Sequence, residues 1–252
     1  MSSFHYPVVN FFSLILSLTV DYSDKILIRT WSEENVSRAG ISTVSGIVLA
    51  GGKSLRLGRV KALERVNTQS LLERTIDCLS TVSQALFVIT SQEQFRLITA
   101  ARLKGKVIVD IYPGKGVLGG IYTGLASADS FYSLVVGCDM PFLNRDLLCY
   151  LIDIAPNFDV VVPKIDGMLE PLHAVYSRDC LAPIKELINK DKLGVSQLFN
   201  LVKTRYVGKD EIAKFAPRCL SFFNVNTLDD LRKAKDLIEQ EEQCLTVRKD
   251  EF

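Results

Sequence analysis

The sequence predicts an α/β protein with a mostly parallel sheet and helices on both faces. Three observations support this. From Val44 onward, strand-like apolar runs alternate with segments of helical period. The runs Ser45–Leu49 and Ser133–Gly137 read as buried strands. The first of them passes directly into a glycine-rich loop, as the first strand of such a domain often does.

The elements follow in order. Val44–Ala50 is the first strand, and Ser70–Ser80 an amphipathic helix with Leu71, Leu72, Ile76 and Leu79 at helical spacing. Ala85–Thr90 is a strand, Glu93–Arg102 a helix, and Lys106–Asp110 a short strand that ends in an acid. After the loop Tyr112–Leu118, Gly119–Ala128 is helical. Ser133–Gly137 then runs into Cys138-Asp139. Asp146–Ile154 is a helix and Asp159–Pro163 a strand. Asp166-Gly167 signals a hairpin, with His173–Tyr176 as the returning strand. Helices follow at Ala182–Asn189 and Ser196–Val202, and strand candidates at Thr204–Val207 and Ser221–Val225. Thr227 is placed to cap a closing helix toward Gln240. This gives a domain over 44–240, an extension over 1–43 and a polar tail over 241–252.

The extension contains an apolar run, Val8–Val20, too short for a typical membrane span. It has no Lys or Arg in front and no evident cleavage site. Three origins fit: an element added to the domain, a start assigned upstream of the true one, or an anchor or export signal.

A net charge of +1 argues against a general nucleic-acid or anionic-membrane binder. Six scattered cysteines without a CxxC pair fit reduced thiols of a cytoplasmic protein rather than a disulfide framework or zinc site. With only His5 and His173, a histidine metal cluster is excluded and a Ser-His-Asp triad disfavoured. The chemistry then rests on carboxylates, cations, backbone amides or a bound metal ion.

Against that neutral background, Leu49–Lys61 stands out. It holds Gly51, Gly52 and Gly58 with Lys53, Arg56, Arg59 and Lys61, and no acid. Glycines bring backbone N–H groups close to a ligand, and several cations suit a polyphosphate. A solvated basic turn is the plainer reading. The spacing is neither that of a Walker A loop nor GxGxxG, which weakens an NTPase or dehydrogenase reading. Ligands of open parallel sheets bind beyond the carboxyl ends of the strands. That rule puts this loop, Asp110 and Asp139 on one rim. Either acid alone would equally serve a turn or an N-cap. A strand-end carboxylate can hold Mg²⁺ while phosphates supply further ligands. Glu170–Tyr176 and Phe222–Thr227 complete the set, with Asn224 and Asn226 suited to line a site and His173 open to a structural role.

In order, LAGGKSLRLGRVKA, PGKGVLGGIYTGL, CDMPF, EPLHAVY and FFNVNT resemble the molybdenum cofactor guanylyltransferase family of the nucleotidyltransferase superfamily, from Val44 to about Glu239. The resemblance implies a Rossmann-like three-layer sandwich of the nucleotide-diphospho-sugar transferase type. It implies GMP transfer from GTP to molybdenum-molybdopterin, with Mg²⁺, and molybdoenzymes or cofactor-insertion proteins as partners. By matching motifs, Leu49, Ala50 and Gly51 contact GTP, Lys61 binds it by charge, Asp110 contacts the nucleotide, and Asp139 contacts GTP and ligates Mg²⁺. Arg56 and Lys53 would add to the neutralisation of the triphosphate.

Two departures stand out. Val60 occupies the place where the family usually has an acid before the lysine. Asn67-Thr68-Gln69-Ser70 replaces its usual Gly-Lys-Pro turn. Alternatives on the same fold are a cytidylyltransferase or a sugar-1-phosphate enzyme. A non-catalytic nucleotide- or pterin-binding relative is the alternative of another class. The Ala50-Gly51-Gly52 loop and Cys138-Asp139-Met140-Pro141 lean toward guanine.

Overall fold

Every residue of the run Val44–Leu49 is buried, and its side chains divide between two apolar layers. Val44 and Val48 join one core with Leu72, Ile76, Leu147 and Leu148, while Ile47 and Leu49 join a second with Leu118, Ile121, Leu125 and Ile184. A strand covered on both faces in this way is the centre of a three-layer sandwich. The computed structural model describes residues 44–51 and 60–240 in full, and the backbone alone for 15–20, 26–31 and 241–247.

The chain divides into two units, Met1–Gly40 and Ile41–Phe252. In the first, β1 (Ile15–Val20) pairs antiparallel with β2 (Ile26–Trp31). β1 is the last part of the apolar run read from the sequence.

The second unit opens with β3 (Val44–Leu49). A 3-10 turn, Lys61–Leu63, leads to the small hairpin β4 (Arg65–Val66) and β5 (Gln69–Ser70). Asn67 takes φ 54° in its turn, the left-handed position where a glycine was missed. Then come α1 (Leu71–Ser80), β6 (Ala85–Thr90), α2 (Gln92–Ala100), β7 (Lys106–Val109) and α3 (Gly116–Ser127). Ser70 and Glu73 form a reciprocal capping box at the start of α1.

β8 (Tyr132–Gly137), α4 (Arg145–Asp153), β9 (Val160–Ile165), β10 (Met168–Leu169) and β11 (His173–Ser177) follow. Asp166 and Gly167, both at positive φ, make the β9–β10 turn. The chain closes with α5 (Leu181–Asn189), α6 (Val195–Phe199), β12 (Thr204–Gly208), α7 (Lys209–Ile212) and α8 (Leu228–Val247).

The pairings give the order β12, β9, β11, β8, β3, β6, β7, and β10 pairs the turn end of β9. Only β10 and β11 run against the others. β6 and β7 lie on one side of β3, and the chain then crosses back to place β8 on the other. That reversal opens a crevice beyond the carboxyl ends of β3 and β8.

Two expectations need correction. Ser221–Val225 is not a strand: Leu220–Phe222 form a 3-10 turn and the chain then runs unpaired to Thr227. Its apolar residues are spent on side-chain packing, Phe223 on Phe142 and Val225 with Val66 and Leu71. α3 begins at Gly116, at φ 63°, rather than Gly119, and glycines within it serve packing. Cβ atoms at Gly120 and Gly124 would meet Leu49 and Ile47 at 3.1 and 2.5 Å.

Candidate active site

The crevice is built from the ends of β3 and β8. Leu49 pairs in register with Gly137, and its carbonyl accepts from Cys138 N at 3.1 Å. Ala50 N donates to the Ile89 carbonyl at 2.8 Å, so the sheet is hydrogen-bonded up to Gly51. Residues 52–59, including Lys53 and Arg56, lie outside the described residues.

The chain returns at Val60, which packs on the core beside Ala62. Leu63 N bonds to Val60 O and Glu64 N to Lys61 O, closing the 3-10 turn that carries Lys61. Val60 therefore supports Lys61 by packing, in the place where the family usually has an acid.

Lys61 Nζ donates to Asp139 Oδ2 at 2.7 Å and to Asn226 Oδ1 at 2.9 Å. The two charged side chains are 19% and 24% exposed, sheltered enough for their charges to act strongly and open enough to meet a ligand. Asp139 sits in the turn that ends β8. A Cβ at Gly137 would lie 2.6 Å from Asp139 Oδ1, so the glycine makes room for the carboxylate. That Oδ1 accepts no hydrogen bond among the described residues.

Asn226 arrives on the segment before α8. Val225 N donates to the Asp139 carbonyl at 2.9 Å, stapling the segment to the β8 turn. Asp230 Oδ2 accepts from Asn226 N and Thr227 N, while Asp230 N donates to Thr227 Oγ1. Thr227 thus caps α8 as expected. The polar break in FFNVNT was the only sequence signal for Asn226, and nothing in it gave the partner.

Asp110 follows β7 on the same rim, its N–H bonded to Thr90 O. Its Oδ1 accepts from Tyr112 N at 3.0 Å and from Thr123 Oγ1 at 2.7 Å, which ties it to α3. Gly119 lets α3 approach closely; a Cβ there would meet Tyr112 O at 2.8 Å. The structure thus brings Lys61 and Asp139 into direct contact, with Leu49–Gly51 at the end of the adjacent β3 and Asp110 on the same rim, at the end of β7 beyond β6.

His173 is fully buried, its Nε2 3.5 Å from Ser221 Oγ and its ring tilted on Phe222. Burial pushes its pKa down to about 3, so it stays neutral and takes a structural place. Burial also pushes the Cys138 and Cys180 thiols up to about 12, leaving them unreactive near neutral pH.

A cation and a carboxylate meeting at the switch point of such a sheet can bind a phosphate and a metal ion side by side. Fold and site define a nucleotidyltransferase, and residues 46–205 match the family model described as MobA-like NTP transferase domain. The chain is 36% identical over 195 residues to a probable molybdenum cofactor guanylyltransferase of Pelotomaculum thermopropionicum, covering 77% of this chain and 93% of that protein. A protein of the same name from Halalkalibacterium halodurans is also 36% identical, over 74% of this chain and 94% of its own length. The chain belongs to the molybdenum cofactor guanylyltransferase family. The crystal structure of molybdopterin-guanine dinucleotide biosynthesis protein A from Archaeoglobus fulgidus superposes with a TM-score of 0.69 at 25% identity, over 78% of this chain and 100% of that one. A 4-diphosphocytidyl-2C-methyl-D-erythritol synthase from Anaerococcus prevotii, 17% identical with a TM-score of 0.58, shares the fold. It covers 79% of this chain and 96% of its own. Among the described residues, no helix is long and apolar enough to cross a membrane.

Proposed function

We propose that the enzyme transfers GMP from GTP to the terminal phosphate of molybdenum-molybdopterin, forming the guanine dinucleotide cofactor and pyrophosphate. The observation that carries this reading is the Lys61–Asp139–Asn226 cluster at the switch point. The acceptor phosphate monoester has a second pKa near 6 and is largely dianionic at neutral pH, so it needs no general base. What it needs is charge neutralisation and alignment of two anions.

Lys61 supplies a fixed positive charge for the triphosphate, and Asn226 and Asp139 hold its ammonium in place. Arg56 and Lys53 add charge from the loop, and Leu49, Ala50 and Gly51 present backbone to the nucleotide. Asp110, braced by Tyr112 and Thr123, contacts the nucleotide from the end of β7, two strands from β3.

Mg²⁺ fits the donors present. Asp139 offers Oδ1 without a competing hydrogen bond, and Mg²⁺ commonly uses one or two carboxylates plus substrate phosphates. No three His, Cys, Asp or Glu side chains converge among the described residues, so further ligands would come from substrate and water. When bound, the ion supplies Lewis-acid stabilisation of the α-phosphate and of the departing pyrophosphate.

The test is pyrophosphate release with Mg²⁺, molybdopterin cofactor and each of the four NTPs in turn. Release is expected with GTP alone, abolished in Asp139→Ala and severely impaired in Lys61→Ala, with both variants folded. Release with CTP alone, or near-normal turnover in either variant at saturating GTP, would overturn the assignment.

A further inference from the structure

A cavity of about 380 Å³ opens between α1, the start of α4 and the loop before the Leu220–Phe222 turn. None of Leu49–Gly51, Lys61, Asp110, Asp139 or Asn226 lines it. Its walls carry two arginines from distant parts of the chain, Arg74 and Arg218, and no acidic residue. Arg74 Nε donates to the Pro141 carbonyl at 3.3 Å. Its terminal nitrogens make no other hydrogen bond or ion pair among the described residues, and neither does Arg218. Two guanidinium groups with no carboxylate partner among the described residues thus line one cavity.

The remaining donors point the same way. Asn144 spends its Oδ1 on capping α4, and its Nδ2 has no partner among the described residues. Ser221 Oγ, also on the wall, accepts from Asn144 N at 3.0 Å. Phe142 and Phe215 also line the cavity. Phe142 is held edge-on by Phe223, and Phe215 is stacked on Tyr150 at 4.7 Å, so both rings are fixed. Guanidinium groups and amide donors bind an anion, and fixed aromatic walls accept a flat ring. The volume lies at the small end of ligand pockets, about 300–1,000 Å³.

We propose that this cavity is a second binding site, separate from the catalytic crevice, for a small organic anion that joins a compact anionic head to a flat ring. The head lies between Arg74 and Arg218, and the ring rests on Phe142 and Phe215. Pro141 and Phe142 directly follow the Asp139-Met140 turn, so an occupant braces the loop that carries Asp139.

The probe is phenyl phosphate, titrated into the whole protein and followed by amide NMR and calorimetry, with inorganic phosphate and phenol as partial probes. Phenyl phosphate is expected to shift the amide signals of Leu143, Asn144 and Ala216–Ser221. Its affinity, read from these signals, should fall about tenfold in Arg218→Gln, a solvent-exposed change that spares the fold. Each partial probe should bind about tenfold more weakly. No binding at millimolar probe, shifts confined to Leu49–Gly51 and Lys61, or indifference to Arg218→Gln would overturn the site. Phenol binding as tightly as phenyl phosphate would overturn the anionic half, and inorganic phosphate doing so would overturn the ring half.

Discussion

The ammonium of Lys61 has two partners of different kinds. Asp139 shares its charge, whereas Asn226 contributes a neutral amide oxygen and so fixes direction. Replacing Asn226 by Ala leaves the charges intact but lets the ammonium swing. A hydrogen bond to a charged group contributes roughly 1.5–3 kcal/mol, so kcat/KM for GTP should fall by about ten- to a hundredfold. Steady-state kinetics at fixed Mg²⁺ check this, and an unchanged value would make Asn226 a bystander. Lys61 and Asp139 were legible in the sequence as a basic loop residue and a strand-end acid. Their direct contact was not, because 78 residues separate them and only the sheet order joins them. Val60 shows the same limit. The family resemblance implied a missing acid there, while its neighbours in space are apolar and hold the turn by packing.

At the level of elements, β8 and its turn place the carboxylate. Gly137 is the last residue of the strand and leaves no side chain between the backbone and Asp139 Oδ1. Gly137→Ala puts a methyl group 2.6 Å from that oxygen, and the carboxylate must move. A displacement of about 1 Å at a reacting centre can cost about a hundredfold in rate. We expect turnover to fall by about that factor while the melting temperature changes little; a variant with normal kcat would show that the carboxylate has slack. The strands that set this geometry were read correctly because apolar runs bounded by turn residues leave few alternatives. The Ser221–Val225 segment was misread because Phe222, Phe223 and Val225 have the composition of a strand. A segment that packs its side chains on a core and gives its backbone to a catalytic turn has the same composition. The start of α3 was misplaced because Gly114 and Gly116 lower helix propensity and read as loop, although the helix already begins at Gly116.

On the scale of the whole molecule, one buried group links stability to pH. His173 is neutral when folded, with its pKa pushed down to about 3, and titrates near 6.5 when unfolded. Below pH 6.5 the unfolded chain takes up a proton that the folded chain refuses, so stability falls as pH drops from 6.5 toward 3. Between pH 7.5 and 5 this group alone should cost about 2 kcal/mol. Urea unfolding at the two pH values, compared with His173→Gln, isolates the effect: the loss on acidification should shrink by about that amount in the variant. An equal loss in both proteins would mean that His173 is protonated within the fold. Glu73, Glu211 and Asp230, whose pKa values are lowered, act in a more acidic window, and Glu170 and Asp179, raised by burial, are common to both proteins and cancel in the comparison.

The contact between Lys61 and Asn226 spans 165 positions of the chain. A ribosome makes the lysine long before it makes the asparagine, and the Val225 staple to Asp139 comes equally late. During most of its synthesis, the growing polypeptide holds the basic loop and the acid without the piece that locks them together. The second anchor of Lys61 and the staple on the Asp139 turn therefore form only after the polypeptide through Asn226 has left the exit tunnel, later than the strands they join.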